Sequence, residues 1–224
     1  MDTFDVVQFI RSPLAYLDRF VSVDALDKTI ENNDWHLKQS VLDHTLKVLE
    51  SVDQSLSLED RYLSRLKPWK SLISAYMLAD VGAHPRLDLL KTCALLHDIG
   101  KPATIRVQPN GQTTCPNHAN ESRLLFEQRG DTLLLSENER HYISQIVQKH
   151  HEADNFLETI GSQQSETALV SFLSVNSQIV LDLLFFYFFD FEGCRIGDKI
   201  SALKPTVYDF ICHLIESQFG DKRR

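Results

Sequence analysis

A mainly helical, single-domain fold is what this chain of 224 residues predicts, on three observations. Apolar residues recur at helical spacing along almost the whole length. Glycine (8) and proline (7) are scarce, which disfavours all-β meanders and disorder. Where punctuation does occur, it starts and stops helices, as at Gly100 and Pro102, Gly130, and Ser136-Glu137-Asn138-Glu139. Hydrophobic residues make up 43%, enough for one large core.

Residues 4–20 and 23–31 are expected to form an N-terminal helical lead. A helix from Leu37 to Val52 sets Leu37, Val41, His44 and Val48 on one stripe, the pattern of an inward face. Pro68 opens a helix ending near Val81. Leu87 to Asp98 is the next, stopped by Gly100 and Pro102. Thr104-Ile105-Arg106-Val107 and Gln112-Thr113-Thr114 flank Pro109-Asn110-Gly111 and read as a small hairpin. A helix from His118 to Gln128 follows. The capping box Ser136-Glu137-Asn138-Glu139 opens another, with Ile143, Ile146, Val147 and His150 on one side. Residues 155–164 form a polar loop, and helices cover 165–175 and 177–191. Pro205 opens a last helix reaching Phe219. No repeat or linker divides the chain. Residues 1–36 are a lead packed on the core, 37–200 the core, and 201–224 a C-terminal helix of the same domain.

The 23 basic and 31 acidic residues leave a net charge of −8, which argues against coating nucleic acid by general electrostatics. A small anionic substrate remains open, because a metal ion supplies local positive charge. Four scattered cysteines without a C-x-x-C pair read as reduced thiols of a cytoplasmic protein. The first residues lack signal-peptide features. The apolar run from Ile179 to Phe191 is too short to span a bilayer and contains Asp182 and Asp190, so no membrane segment is expected. Oligomeric state leaves no readable mark.

His97-Asp98, at the end of an apolar helix, is the most informative pair. A buried carboxylate needs a partner or a metal, and both side chains are good ligands for divalent ions. His44 and His150 lie on apolar stripes. Asp190 shares a stripe with Ile179, Leu183 and Phe186 among aromatic residues, where an unpartnered carboxylate is costly. Alternatives exist for each: Asp190 pairs with Arg195, His118 merely starts a helix, and Lys101 is a solvated helix-end lysine. The stripe favours His150 over His151 as the inward residue; His151 is a second ligand or reaches substrate. Asp43 and Glu121 stand beside candidate ligands as supporting partners or as exposed residues. His36, His84, His141 and His213 read as surface or packing residues.

The ordered set His44, His97-Asp98, His118, His150-His151, Asp190 resembles the HD-domain superfamily of metal-dependent phosphohydrolases. Its H…HD…D signature falls on His44, His97, Asp98 and Asp190. The resemblance covers roughly residues 37–195. It is nearest to the HD domain found in some tRNA nucleotidyltransferases, through His97-Asp98-Ile99-Gly100-Lys101-Pro102, the hairpin, Asn117-His118 and Ser122. It implies an all-α helical bundle with a small β-hairpin insertion after the HD motif. Members with the extra histidines commonly hold two metals, which implies that His118 and one or both of His150 and His151 complete a second site. The ions would be Mn, Fe, Ni, Zn or Mg. The implied activity is hydrolysis of a phosphomonoester or phosphodiester, in a nucleotide or similar small phosphorylated substrate, by a metal-bound hydroxide. Asp98 would bridge the ions, and Lys101 would meet substrate phosphate, with Arg106 and Arg195 as weaker candidates.

The chain departs from several subfamilies. No G-Y-P follows His150-His151-Glu152-Ala153-Asp154, which disfavours cyclic-dinucleotide phosphodiesterases. No Glu-Asp pair follows shortly after His97-Asp98, as it does in alarmone hydrolases. No nucleotidyltransferase Gly-Ser motif is present, so CCA addition is not expected. Two competing readings share the ligands: a di-iron oxygenase of the inositol-oxygenase or phosphonate-oxygenase type, and a metal-bearing binding module without turnover.

Overall fold

The computed structural model describes residues 3–59, 62–152 and 165–220. The expected polar loop at 155–164 lies outside them. The fold is all-α, with two very small antiparallel sheets among the described residues. The expected helix over 4–20 is broken. α1 (Val6–Arg11) starts from a capping box between Asp5 and Gln8, and α2 (Pro13–Leu17) starts at a proline. Pro13 forces Ser12 out of the helical region (φ −135°, ψ 58°). α3 (Val23–Lys28) follows. Phe9, Leu17 and Leu26 are fully buried, and α1 packs against α6 (Arg86–Leu96).

β1 (Ile30–Glu31) pairs with β2 (Gln39–Ser40), a ribbon the sequence reading missed. The helix expected from Leu37 therefore begins later, as α4 (Val41–Gln54). Lys38 adopts a left-handed turn (φ 48°), Leu37 is exposed, and Ser40 Oγ caps the helix by accepting from Asp43 N at 3.0 Å. Val41, His44, Val48 and Val52 form the buried stripe. Pro68 sits inside a 3₁₀ segment, Leu63–Trp69, ahead of α5 (Lys70–Leu78). α6 is buried almost all round, with Leu89, Leu90, Cys93, Ala94, Leu95 and Leu96 inaccessible. Pro102 does more than stop α6, because it opens the short α7 (Lys101–Thr104).

The hairpin is present as β3 (Arg106–Val107) and β4 (Thr113–Thr114). α8 (His118–Arg129) and α9 (Glu137–Lys149) come next, α9 with the Ser136–Glu139 capping box. α10 (Ser165–Val175), α11 (Val180–Gly193) and α12 (Asp198–Gly220) are the last helices among the described residues. α12 corrects the expectation that Pro205 opens the last helix: it runs through Pro205. Its start is held by burial of Ile200 and by Ser201 N bonding Gly197 O at 2.9 Å. Burial of Val207, Tyr208 and Ile211 beyond the proline offsets the lost backbone bond.

The site is organised by five helices. α11 lies along α4, α4 along α6, and α6 on α9, while α8 packs on α9. No single described helix is long and apolar enough to cross a membrane. Thr167–Val175 and Val180–Gly193 reach that length only together, across a bend of 113°.

The α4–α11 approach depends on Gly193. A Cβ there would lie 2.4 Å from Val48 Cγ2 and 3.2 Å from His44 Nδ1. Gly193→Ala should lower unfolding stability by about 1–3 kcal/mol. Gly220→Ala, with open space around it, should stay within about 0.5 kcal/mol. Equal effects in denaturant unfolding would refute the close approach.

Asp182 supplies a second test. It accepts from Tyr76 Oη at 2.8 Å and faces Arg86 Nε at 3.0 Å. Burial pushes its carboxyl up from 3.8 to about 6, against the pull of Arg86 and Tyr76. The folded state therefore holds a proton that the unfolded chain has released between about pH 4 and 6, so stability falls as pH rises through that window. Measured against Asp182→Asn, the wild type should lose on the order of 2 kcal/mol across it. A stability difference independent of pH would show that Asp182 is ionised throughout.

Candidate metal centre

Each candidate ligand arrives on a different part of the bundle. His44 comes from the buried stripe of α4, and His97 caps the C-terminus of α6, its N–H bonding Cys93 O at 2.8 Å. Asp98 opens the turn after it. That turn meets the start of α8 closely enough to require glycine: a Cβ on Gly100 would lie 2.6 Å from His118 O and from Ser122 N. Gly100 N donates to Ser122 Oγ at 2.9 Å. The N-terminus of α8, with His118, is thereby held against Asp98. His150 and His151 end α9, and Asp190 lies in the last turn of α11.

The side chains converge. His44 Nε2 is 2.9 Å from Asp190 Oδ1, 3.2 Å from His97 Nε2 and 3.4 Å from Asp98 Oδ2. His97 Nε2 is 3.1 Å from Asp98 Oδ2 and 3.6 Å from Asp190 Oδ1. On the other side of the same carboxylate, Asp98 Oδ1 is 3.2 Å from His118 Nε2 and 3.8 Å from His150 Nε2. His151 Nε2 lies 2.9 Å from His118 Nε2. One buried carboxylate thus faces two groups: His44, His97 and Asp190 through Oδ2, and His118, His150 and His151 through the Oδ1 side. His150 and His151 both join the second group, one of the alternatives that the sequence leaves open.

The backbone fixes the imidazole tautomers. Nδ1 of His97, His118 and His150 donates to Ala94 O (2.9 Å), Cys115 O (2.7 Å) and Val147 O (2.7 Å). In the neutral rings Nε2 is then a bare lone pair aimed inward. Burying lone pairs beside one another and beside carboxylates is unfavourable unless a positive charge lies between them. His150 Nε2 and both Asp98 oxygens are buried without a hydrogen bond.

The electrostatics carry the same demand. Burial alone would raise both acids. His97 and Lys101 nevertheless hold Asp98 well below the carboxylate range, and His44 and His97 do the same for Asp190. Although burial opposes its charge, Asp98 and Asp190 raise the His97 imidazole to about 10. Burial and the neighbouring imidazoles depress His150. Without a cation, a proton on His97 stands where a metal charge would act. Ligand atoms about 2.1 Å from an ion lie about 3.0–3.4 Å apart, close to the separations found in both groups. The donor set fits divalent ions.

The other expected residues divide between the wall of the site and the outer surface. Lys101 is buried, its Nζ 2.7 Å from Glu31 Oε2 and 2.8 Å from Asp98 Oδ2, so it is an ion-paired wall residue and not a free point charge. Asp98 and Glu31 hold its charge in place despite burial. Arg106 is exposed on β3. Arg195 reaches Asp43 (3.5 Å) and Lys38 O (3.3 Å), not Asp190. Neither arginine lines the cavity beside the cluster. Asp43 also pairs with Lys47 at 2.9 Å. His141 and His213 are exposed, and His84 packs on Glu139 at 2.8 Å.

Sequence reasoning missed the supporting tier. Glu31 is buried on β1 against Lys101. Gln39 on β2 donates to Gly193 O (2.8 Å), and its Oε1 meets His36 Nδ1 (3.2 Å) and Arg195 N (2.8 Å). His36 is buried and kept neutral: burial first, then Lys101 and His44, depress its pKa to about 3. His36, His44 and Cys194 also bring ligand atoms within 4.8 Å of one another. A two-residue strand has no periodicity to read, so only the tertiary contacts reveal Glu31 and Gln39.

A cavity of about 150 Å³ opens onto the cluster, with Glu31, Lys101, His118, His151 and Asp190 in its wall. The family model for the HD domain matches residues 69–171, which include His97, Asp98, His118, His150 and His151. No curated protein matches the chain. His44 and Asp190 flank the matched segment in sequence, and α4 and α11 carry them back into contact with it. The match over residues 69–171 supports placing the chain in the HD-domain superfamily, whose members are generally metal-dependent hydrolases.

Proposed function

We propose that this protein is a binuclear, metal-dependent phosphohydrolase acting on a nucleotide or similar small phosphoester, as a phosphomonoesterase or phosphodiesterase of the cytoplasm. The observation that carries the reading is Asp98, whose two buried oxygens face two separate groups of imidazoles. His44, His97, Asp98 and Asp190 would hold one ion, and Asp98, His118, His150 and His151 the other. Divalent ions there would supply positive charge to a phosphoryl group and lower the pKa of a water.

The chain's own residues prepare that chemistry. Ala94, Cys115 and Val147 carbonyls orient the imidazoles and raise their basicity as ligands. Lys101, held by Glu31, restrains the Asp98 carboxylate. Trp35, Tyr187 and Phe191 line the same cavity and limit the access of bulk water on its open side. The four cysteines form no disulfide, which suits a reducing compartment.

Elemental analysis of the purified protein should find about two divalent ions per chain. His44→Ala should remove one, His118→Ala the other, and Asp98→Asn both. Uniform partial loss in all three variants would argue against two groups sharing Asp98.

Activity on a panel of nucleotides and p-nitrophenyl phosphoesters should fall more than about 100-fold in Asp98→Asn. Metal must displace the proton that the carboxylates hold on His97, so loading releases protons and apparent affinity rises with pH. Activity should therefore decline below about pH 6, and a flat profile to pH 5 with metal retained would contradict this. Oxygen consumption by iron-loaded protein, with no phosphoester cleaved, would overturn hydrolysis in favour of oxygenase chemistry.

A further inference from the structure

A second cavity, of about 490 Å³, adjoins the one at the metal cluster. The two share Asn33, Trp35, Tyr187 and Phe191 in their walls. About 150 Å³ is too small for an organic ligand, whereas both together reach the range of small-molecule sites. Resting on the phosphohydrolase reading, we infer that this second cavity receives the base of a nucleotide whose phosphate lies at the cluster.

The wall chemistry selects that occupant. Trp35 and Phe191 stand with ring centroids 5.1 Å apart, and Phe191 and Tyr187 at 6.1 Å, giving an aromatic surface at the mouth of the metal cavity. Buried Ile200 and Val207 from α12 continue it. In the same wall, the hairpin contributes the amides of Gln108 and Gln112. The Gln112 Oε1 accepts from Asn110 at 2.9 Å, and the Gln108 amide donates to Thr114 at 3.2 Å, so both are oriented. Charge in this wall is confined to Asp34 and Lys199, which face each other at 3.8 Å. A wall that combines an aromatic surface with uncharged amides suits a flat, neutral ring with polar edges, since every base offers a π-face and hydrogen-bonding edges. A second phosphate or a carboxylate finds no unpaired cation among these wall residues. The hairpin after the HD motif is thereby given a task, that of a specificity wall.

The pocket is tested apart from catalysis by nucleoside binding, which needs no phosphate. Trp35 and Trp69 are the two tryptophans, so Trp69→Phe leaves Trp35 as the sole indole reporter. Titrating the purified variant with adenosine, guanosine, cytidine or uridine should quench its fluorescence saturably, and methyl glucoside should not. Leu203→Trp in the wild-type background adds bulk at the exposed rim of the cavity without disturbing the core. It should lower the ratio of kcat/KM for a nucleotide to that for glycerol phosphate by about tenfold or more, mainly through KM. Nucleoside quenching in a protein that cleaves no phosphoester would uphold the base pocket while the hydrolase reading fails. Absence of quenching by all four nucleosides, with an unchanged ratio in Leu203→Trp, would overturn the base pocket even if phosphoesters are cleaved. Binding of methyl glucoside and not of nucleosides would overturn it in favour of a sugar site.

Discussion

Everything in the centre of this bundle turns on a carboxylate that is almost inaccessible to water. Asp98 is 1% exposed and neither oxygen receives a well-directed hydrogen bond. A bare carboxylate in that position is among the most costly things a protein can bury. The surroundings answer with Lys101 on one side, with a proton held on His97, and with imidazoles of His118 and His150 whose Nδ1 atoms are engaged by backbone carbonyls. Lone pairs do not neutralise a carboxylate; they share with it the need for a cation. The geometry is therefore that of a cluster that could hold metal ions, and the cost of assembling it is met elsewhere, in the apolar packing of α4, α6, α9 and α11.

That packing is unusually direct because small residues allow it. Gly193 lets α11 lie against α4 next to His44, and Gly100 lets the HD turn press on the start of α8. The ligands sit at helix ends and on a buried stripe, where neighbouring helices restrict their rotamers. The short β1–β2 ribbon adds a polar tier, with Glu31 bracing Lys101 and Gln39 tying the ribbon to Gly193. The functional cluster and the hydrophobic core are thus one structure seen from two sides.

Long periodic elements and the order of the clustered histidines and acids were legible in the sequence; short and strained elements were not. Helical spacing located α4, α6, α9 and α11, and so put His44 and Asp190 on inward faces before any coordinates. The Asn110-Gly111 turn gave the hairpin, and Ser136 with Glu139 gave the start of α9. Pro13 was underweighted as a break, and Pro205 was overweighted as a start, because local propensity competes with burial of residues on either side. Glu31, Gln39 and His36 were invisible because their roles come from contacts with residues far along the chain. Lys101 was found, but its ion pair with Glu31 was not. The spacing also left His150 and His151 undivided, and the end of α9 turns both towards Asp98 and His118.

The central claim, that cations draw these groups together, is tested most directly by diffraction from crystals of the purified protein with anomalous data at the absorption edge of the metal it carries. The account predicts two anomalous peaks, one on each side of the Asp98 carboxylate, bounded by His44, His97 and Asp190 on one side and by His118, His150 and His151 on the other. A well-ordered cluster with no peak after growth in excess metal, its imidazoles bonded only to carboxylates and to one another, would contradict it.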